Sequence, residues 1–91
     1  MTKYKVKISK KTAKQLKNTE NPDRIKKKLK KLKKEPWKPR AKLDIRKIKG
    51  SEDPKLYRLR IGDYRAIYVI EEEMVKITEI IHRSKGYDFL E

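Results

Sequence analysis

The chain has no cysteine, which excludes disulfides and thiolate metal sites, and a single histidine, His82, which makes no zinc centre unless several carboxylates converge on it. No metal is expected. No apolar run approaches the roughly 20 residues that span a bilayer. The opening Met1-Thr2-Lys3-Tyr4-Lys5 lacks a signal-peptide apolar region, so a cytoplasmic protein with no membrane partner is expected. Glycine is scarce, and no Gly-rich phosphate loop, Walker pattern, zinc-finger spacing or internal repeat occurs, which leaves no cofactor motif. Acidic residues are scarce where basic ones crowd. Residues 1–50 hold 21 Lys/Arg against 4 Asp/Glu and residues 51–91 hold 7 against 9, so the two parts carry +17 and −2.

That asymmetry suits a nucleic-acid partner, because neutralising phosphates drives sequence-independent affinity. An acidic protein would satisfy it equally, and a lysine-rich surface serving solubility or thermostability is the plain alternative. Ninety-one residues hold one modest core, so residues 1–91 are read as a single domain. The apolar residues, 35% of the chain, fall in periodic clusters and not at random, which marks a folded protein.

Tyr4, Val6 and Ile8 alternate with Lys5 and Lys7, the period of a strand with one buried face. Ser9 can cap a short helix with Ala13 and Leu16 on one side. Asn21-Pro22-Asp23 is a second helix start: a capping Asn, Pro in the first helical position, and Asp complementing the dipole. Ile25, Leu29 and Leu32 form its buried stripe among lysines, and Glu35-Pro36 ends it. With no aromatic among those lysines to stack bases, Lys30 and Lys34 are candidates for RNA docking and not for chemistry. Trp37 in the proline-broken connection is read as a lid on the core before a stacking platform.

Residues 43–49 pattern as a strand with Leu43, Ile45 and Lys47 on one side and Asp44, Arg46 and Ile48 on the other, before a turn at 50–54. A hairpin follows. Residues 56–61 and 64–70 are two β-branched and aromatic runs separated by Gly62-Asp63, a two-residue turn signal. That turn sets Ile61 against Tyr64, Arg60 against Arg65, Leu59 against Ala66, Arg58 against Ile67 and Tyr57 against Tyr68. One face then carries Tyr57, Leu59, Ile61, Tyr64, Ala66 and Tyr68 for a core. The other gathers Arg58, Arg60 and Arg65 on a floor of Leu56, Ile67 and Val69. Like charges directly opposed in a sheet are destabilising, and such conflicts concentrate at functional or strained sites. After a glutamate turn at 71–73, residues 74–81 read as a last strand with Val75, Ile77 and Ile81 on one face, in a run of sequential antiparallel strands. The tail delivers His82, Arg83 and Tyr87 near one sheet edge.

The element order, Arg46-Lys47-Ile48-Lys49-Gly50, Leu56-Tyr57-Arg58-Leu59-Arg60, Gly62-Asp63-Tyr64-Arg65, and the terminal His82-Arg83 followed by Tyr87 together resemble the RelE/ParE superfamily of toxin-antitoxin toxins, nearer its RelE branch. The likeness covers essentially the whole chain. It implies an α+β fold in β-α-α-β-β-β-β order, with two N-terminal helices on a mainly antiparallel twisted sheet. It also implies a metal-independent endoribonuclease that cleaves messenger RNA in the ribosomal A site through attack of the ribose 2′-hydroxyl, giving a 2′,3′-cyclic phosphate. The implied partners are the ribosome and its messenger, and an acidic, amphipathic RelB-like antitoxin that turns a monomeric toxin into a hetero-oligomer.

By motif position Arg65 is the principal phosphate contact, Arg58 and Arg60 are the basic residues of the preceding strand, Arg83 is the terminal arginine and Tyr87 the tyrosine after it. Arg46, Lys47 and Lys49 are expected to bind RNA beside them. Some relatives carry lysine where Arg58 and Arg60 stand. Arginine does not deprotonate in a protein, so neither is a general base, although its fork suits phosphate well. The base is then Tyr87, whose phenolate a cation cluster would favour, or His82, the side-chain type most often used as a general base. Two other readings stay open at this point: a ParE-like DNA gyrase inhibitor acting by binding, and a non-catalytic basic nucleic-acid-binding protein.

Overall fold

In a computed structural model describing residues 3–50 and 55–85, the chain runs β1 (Lys5–Ile8), α1 (Lys10–Lys17), α2 (Pro22–Lys30), β2 (Asp44–Lys47), β3 (Leu56–Ile61), β4 (Tyr64–Glu71) and β5 (Met74–His82). One 3-10 turn, Lys31–Lys33, extends α2, and another, Arg83–Lys85, follows β5. This is the expected α+β order. The five strands form one sheet in the order β1-β5-β4-β3-β2. Strands β2 to β5 are antiparallel neighbours in sequence, but β1 lies beside β5 and parallel to it. The expected run of sequential antiparallel strands is β2 to β5 in a mainly antiparallel sheet, and β1 joins it by a parallel pairing that the sequence reading did not address. The two helices carry the chain from one edge of the sheet to the other, and β2 takes the far edge.

The helices start where their caps place them. The Ser9 hydroxyl accepts from the Thr12 amide at 3.1 Å, and the Asn21 side chain accepts from the Arg24 amide at 3.2 Å with Pro22 opening α2. Capping of this kind satisfies amides that the first helical turn leaves without partners. Ile25, Leu29 and Leu32 are buried against Leu43, Ile45, Leu59, Ala66 and Tyr68, so the core lies between the helices and one face of the sheet. In α1 the buried residues are Thr12 and Leu16, while Ala13 is only half-buried. Ile8, expected in the buried face of β1, is exposed, because β1 is an edge strand that ends there and turns into α1.

The connection between α2 and β2 is pinned by two residues. Arg40 donates to the carbonyls of Lys31, Lys34, Glu35 and Lys38 at 2.6 to 3.3 Å, gathering carbonyls that the end of the helix leaves open. Fully buried Tyr68 donates to the Pro36 carbonyl at 2.7 Å and stacks on Tyr57. Burial pushes the Tyr68 phenol above the ordinary tyrosine range, with Tyr57 adding and Arg40 and Arg58 opposing. Pro36 closes the core at this point. Trp37, expected as the lid, is 48% exposed and meets Tyr4 edge to face at 6.0 Å, so it covers only the β1 margin.

Strand β5 holds the largest departure from the sequence reading. Ile67 pairs with Glu79 but Tyr68 pairs with Ile77, so Thr78 is one extra residue, a β-bulge. A one-residue shift moves every later side chain to the other face. Val75 and Ile77 face the helices as expected, but after the bulge Ile80 joins them and Ile81 moves to the outer face. Strand β1 ends opposite Ile77, so beyond it β5 has no strand neighbour on that side. Helix α1 fills the gap. Thr12 Oγ1 donates to the Thr78 carbonyl at 2.9 Å, and Gln15 Oε1 accepts from the Ile80 amide at 2.9 Å.

Replacing either group leaves a part-buried backbone group without its partner. Thr12→Val and Gln15→Leu should each lower unfolding free energy by about 1–3 kcal/mol, read from denaturant midpoints at unchanged slope. A neutral result for both would show that water replaces these bonds.

Candidate nucleic-acid interface

The side of the sheet away from the helices carries the basic groups, and the strand register fixes their arrangement. The turn at Gly62-Asp63, with Gly62 at φ +57°, gives the pairs Ile61–Tyr64, Arg60–Arg65, Leu59–Ala66, Arg58–Ile67 and Tyr57–Tyr68, as the sequence reading has them. Strand β2 adds Asp44 opposite Arg60 and Arg46 opposite Arg58. One row across the sheet is therefore Asp44, Arg60, Arg65 and Ile81, and the next is Arg46, Arg58 and Ile67. Four arginines thus share one face over three adjacent strands. Directly opposed residues sit about 5 Å apart at Cα, well within reach of one another's charge.

The four are not equivalent. Arg46 and Arg60 are exposed, Arg65 is half-buried, and Arg58 is 3% exposed. Ile48, Ile67 and Ile81, with Leu56 against them, make a small apolar cluster on this face. The expected floor of Leu56, Ile67 and Val69 is present, with Ile48 and Ile81 added by register. Arg58 Nη2 lies 3.6 Å from Asp44 Oδ1. A buried guanidinium cannot shed its proton, so a carboxylate beside it offsets desolvation that would otherwise oppose folding.

Arg83 stands at the hairpin end of the same sheet. Its amide donates to the Asp63 carbonyl at 2.8 Å and its Nε lies 3.5 Å from Asp63 Oδ1, which ties the end of β5 to the Gly62-Asp63 turn. His82 goes the other way. It pairs with Tyr64, whose ring it meets edge to face at 5.0 Å, and Tyr64 packs against the helix-side core. The bulge at Thr78 causes this: with unbroken alternation His82 would share the face of Arg65. Its Nδ1 accepts from the Ser84 amide at 3.1 Å and lies 2.8 Å from Ser84 Oγ, so the ring is engaged locally. Tyr87 lies outside the described residues.

The remaining candidates divide between the two layers. Lys47 pairs with Tyr57 on the helix-facing side but is exposed at the sheet edge, and Lys49 is exposed just beyond β2. Lys30 and Lys34 are exposed in the helix layer, where with Arg40 and Lys42 they rim a groove floored by Ala41 and Leu43. They do not join the arginine face. Within that layer partial burial lowers the Lys28 pKa, with Lys31, Arg24 and Lys42 adding to the effect. Arg24 was not singled out in the sequence. Its guanidinium lies about 3.5 Å from where a side chain on Gly62 would begin, against the hairpin turn, and nothing in a run of basic residues marks it.

A family model described as the ParE toxin of the type II toxin-antitoxin system, parDE, matches residues 6–87. A Methanocaldococcus jannaschii protein assigned as toxin RelE1 is 35% identical over 89 residues, covering 93% of this chain and 96% of its own. Toxin RelE3 of the same organism is 38% identical over 48 residues, about half of each chain. Among solved structures, a chain of the archaeal RelE-RelB complex from Pyrococcus horikoshii OT3 superposes with a TM-score of 0.76 at 35% identity, over 92% of this chain and 99% of that one. A chain of the RelB-RelE antitoxin-toxin complex from Methanococcus jannaschii gives 0.69 at 28% identity, over 92% and 98%.

The arrangement separates stability from exposure among the arginines. Arg58→Ala should destabilise by about 1–3 kcal/mol, since it opens a void and strands Asp44, whereas Arg60→Ala should be neutral or slightly stabilising by relieving the opposed pair. Thermal melts of the two variants check this. Equal losses would mean that the Arg60–Arg65 opposition carries no strain.

Proposed function

The chain belongs to the RelE/ParE superfamily of type II toxin-antitoxin toxins, and we propose that it acts as a ribosome-dependent endoribonuclease that cuts messenger RNA in the A site. The observation that carries this reading is the face shared by Arg46, Arg60, Arg65 and buried Arg58, with Arg83 tied to the hairpin turn at one end of the sheet. In the proposed reaction the ribose 2′-oxygen attacks its own 3′-phosphodiester. The bond to the 5′-oxygen of the next nucleotide breaks, a 2′,3′-cyclic phosphate forms, and the leaving oxygen takes up a proton. Negative charge grows on the phosphoryl oxygens during attack, so fixed guanidinium groups stabilise the transition state more than the ground state. Arg65 makes the principal contact, flanked by Arg60, with Arg83 closing the hairpin end.

Four arginines provide no base. Tyr87 takes that role in the proposal, accepting the 2′ proton as a phenolate, the form that a cluster of cations favours. His82, engaged by Ser84 on the other side of the sheet, is a poorer candidate for it. Lys47 and Lys49 at the β2 edge, with Lys30 and Lys34 on the helices, supply long-range attraction to RNA. Two structural neighbours are RelE-RelB complexes, which supports a RelB-like antitoxin as the partner that holds the toxin inactive in a hetero-oligomer. Its acidic, amphipathic segments would suit the lysine-rimmed groove with its apolar floor.

A second reading has its own support, since the matching family model is the ParE one. It makes the protein a DNA gyrase inhibitor acting by binding, and the same protein preparation tests both. Incubated with ribosomes stalled on a defined messenger, the protein should cut at the A-site codon and leave a 2′,3′-cyclic phosphate, while gyrase supercoiling proceeds unaffected. Intact message at high protein excess together with blocked supercoiling would overturn the nuclease in favour of the gyrase inhibitor.

A further inference from the structure

Buried Arg58 and half-exposed Asp44 raise a question that the four-arginine face alone does not answer: which guanidinium groups are open to a phosphate. Asp44 lies opposite Arg60 in the register, yet its Oδ1 is 3.6 Å from Arg58 Nη2, one row along the sheet. The carboxylate therefore reaches across from the Arg60 row to the Arg58 guanidinium. Carboxylate and phosphodiester are both anionic acceptors for a guanidinium fork, so they compete for it. Being attached, Asp44 competes at a high effective concentration.

We infer that Asp44 is a specificity-determining residue of this face: its carboxylate occupies the Arg58 guanidinium as a resident counter-anion and confines phosphate binding to the Arg60–Arg65 side. The inference rests on the arginine face being a phosphate site. Three features support it. Arg58 is 3% exposed and permanently charged, which makes a fixed anion beside it worth more than at the surface. Asp44 belongs to edge strand β2 and its side chain is 50% exposed, so the anion beside buried Arg58 is itself in contact with solvent. Glu79, which pairs with Ile67 in the neighbouring row, is already drawn to Lys11 at 3.1 Å, towards α1 and away from the arginines.

The test is the affinity of hexauridylate RNA, read by fluorescence anisotropy at fixed low salt. The variants are Asp44→Asn, Arg58→Met, the two combined, and Arg60→Ala. Glu71→Gln, whose carboxylate pairs with Lys76 at the far end of β4, controls for net charge. Asp44→Asn should tighten binding about three- to tenfold, and Glu71→Gln less than about twofold. In the Arg58→Met background the gain from Asp44→Asn should fall to that of the control. Arg58→Met alone should weaken binding less than Arg60→Ala does. This last comparison needs no Asp44 variant, so a loss in Arg58→Met as large as in Arg60→Ala overturns the proposal even if Asp44→Asn fails to fold.

Equal effects of Asp44→Asn and Glu71→Gln would overturn the proposal, as would a loss in Arg58→Met as large as in Arg60→Ala. Either result with binding still dependent on Arg60 leaves the phosphate face standing. RNA binding indifferent to Arg60 would overturn the face itself and the Asp44 proposal with it.

Discussion

The arginine face follows from the commitment of the other face to the core. Leu59, Ala66 and Tyr68 are fully buried under the helices, and a strand offers only two sides. Once Gly62-Asp63 fixes the turn, Arg58, Arg60 and Arg65 have nowhere else to point, and β2 brings Arg46 beside them. A slip of one residue would relieve the opposed guanidinium groups but would turn Leu59 and Tyr68 out to water. The hydrophobic term decides: fully burying one such side chain contributes about 1.5–3 kcal/mol, against at most about 1 kcal/mol from one like-charged cross-strand pair. The core thus holds in place a concentration of charge that the arginines alone would not maintain.

Chemistry on such a face depends on which groups are exposed. Arg58 is buried with Asp44 beside it, while Arg60 and Arg65 meet solvent to different degrees and Arg83 is held through Asp63. The lysines lie mostly in the helix layer and at the β2 edge, away from the arginine rows, where the proposed function has them attract polyanions without sharing the arginines' phosphate. Attraction and contact are therefore distributed over different surfaces. On the proposed function, an electrostatically drawn RNA, or an acidic antitoxin in its place, would meet the lysines over a wide area and the arginines over a small one.

Much of this was legible in the sequence because it rests on local rules. The Gly62-Asp63 turn gave the hairpin register residue for residue, and Ser9 and Asn21-Pro22 marked the helix starts. The stripe Ile25, Leu29, Leu32 is buried as its spacing requires. What escaped the sequence is non-local. No residue type announces a bulge at Thr78; the extra residue is stabilised by Thr12 and Gln15, more than sixty positions earlier. That one residue moved Ile81 under Arg65 and took His82 to the helix side, which period-2 counting along β5 alone places wrongly. The parallel pairing of β1 and the exposure of Ile8 likewise depend on where the helices deposit the chain. Trp37 is the simplest case, since a large aromatic after a helix fits a lid, but Pro36 and the Tyr68 hydroxyl already close that point.

In the proposed function, phosphate chemistry belongs to the arginine face and not to the lysine-rich helices. Single-turnover cleavage of messenger on saturating ribosomes, comparing Arg65→Ala with Lys30→Ala, tests it most directly. Arg65→Ala should slow the chemical step by about 10²-fold or more, as loss of a fixed transition-state donor does, while Lys30→Ala should change apparent affinity and leave the saturated rate intact. Equal losses in the two variants would contradict it.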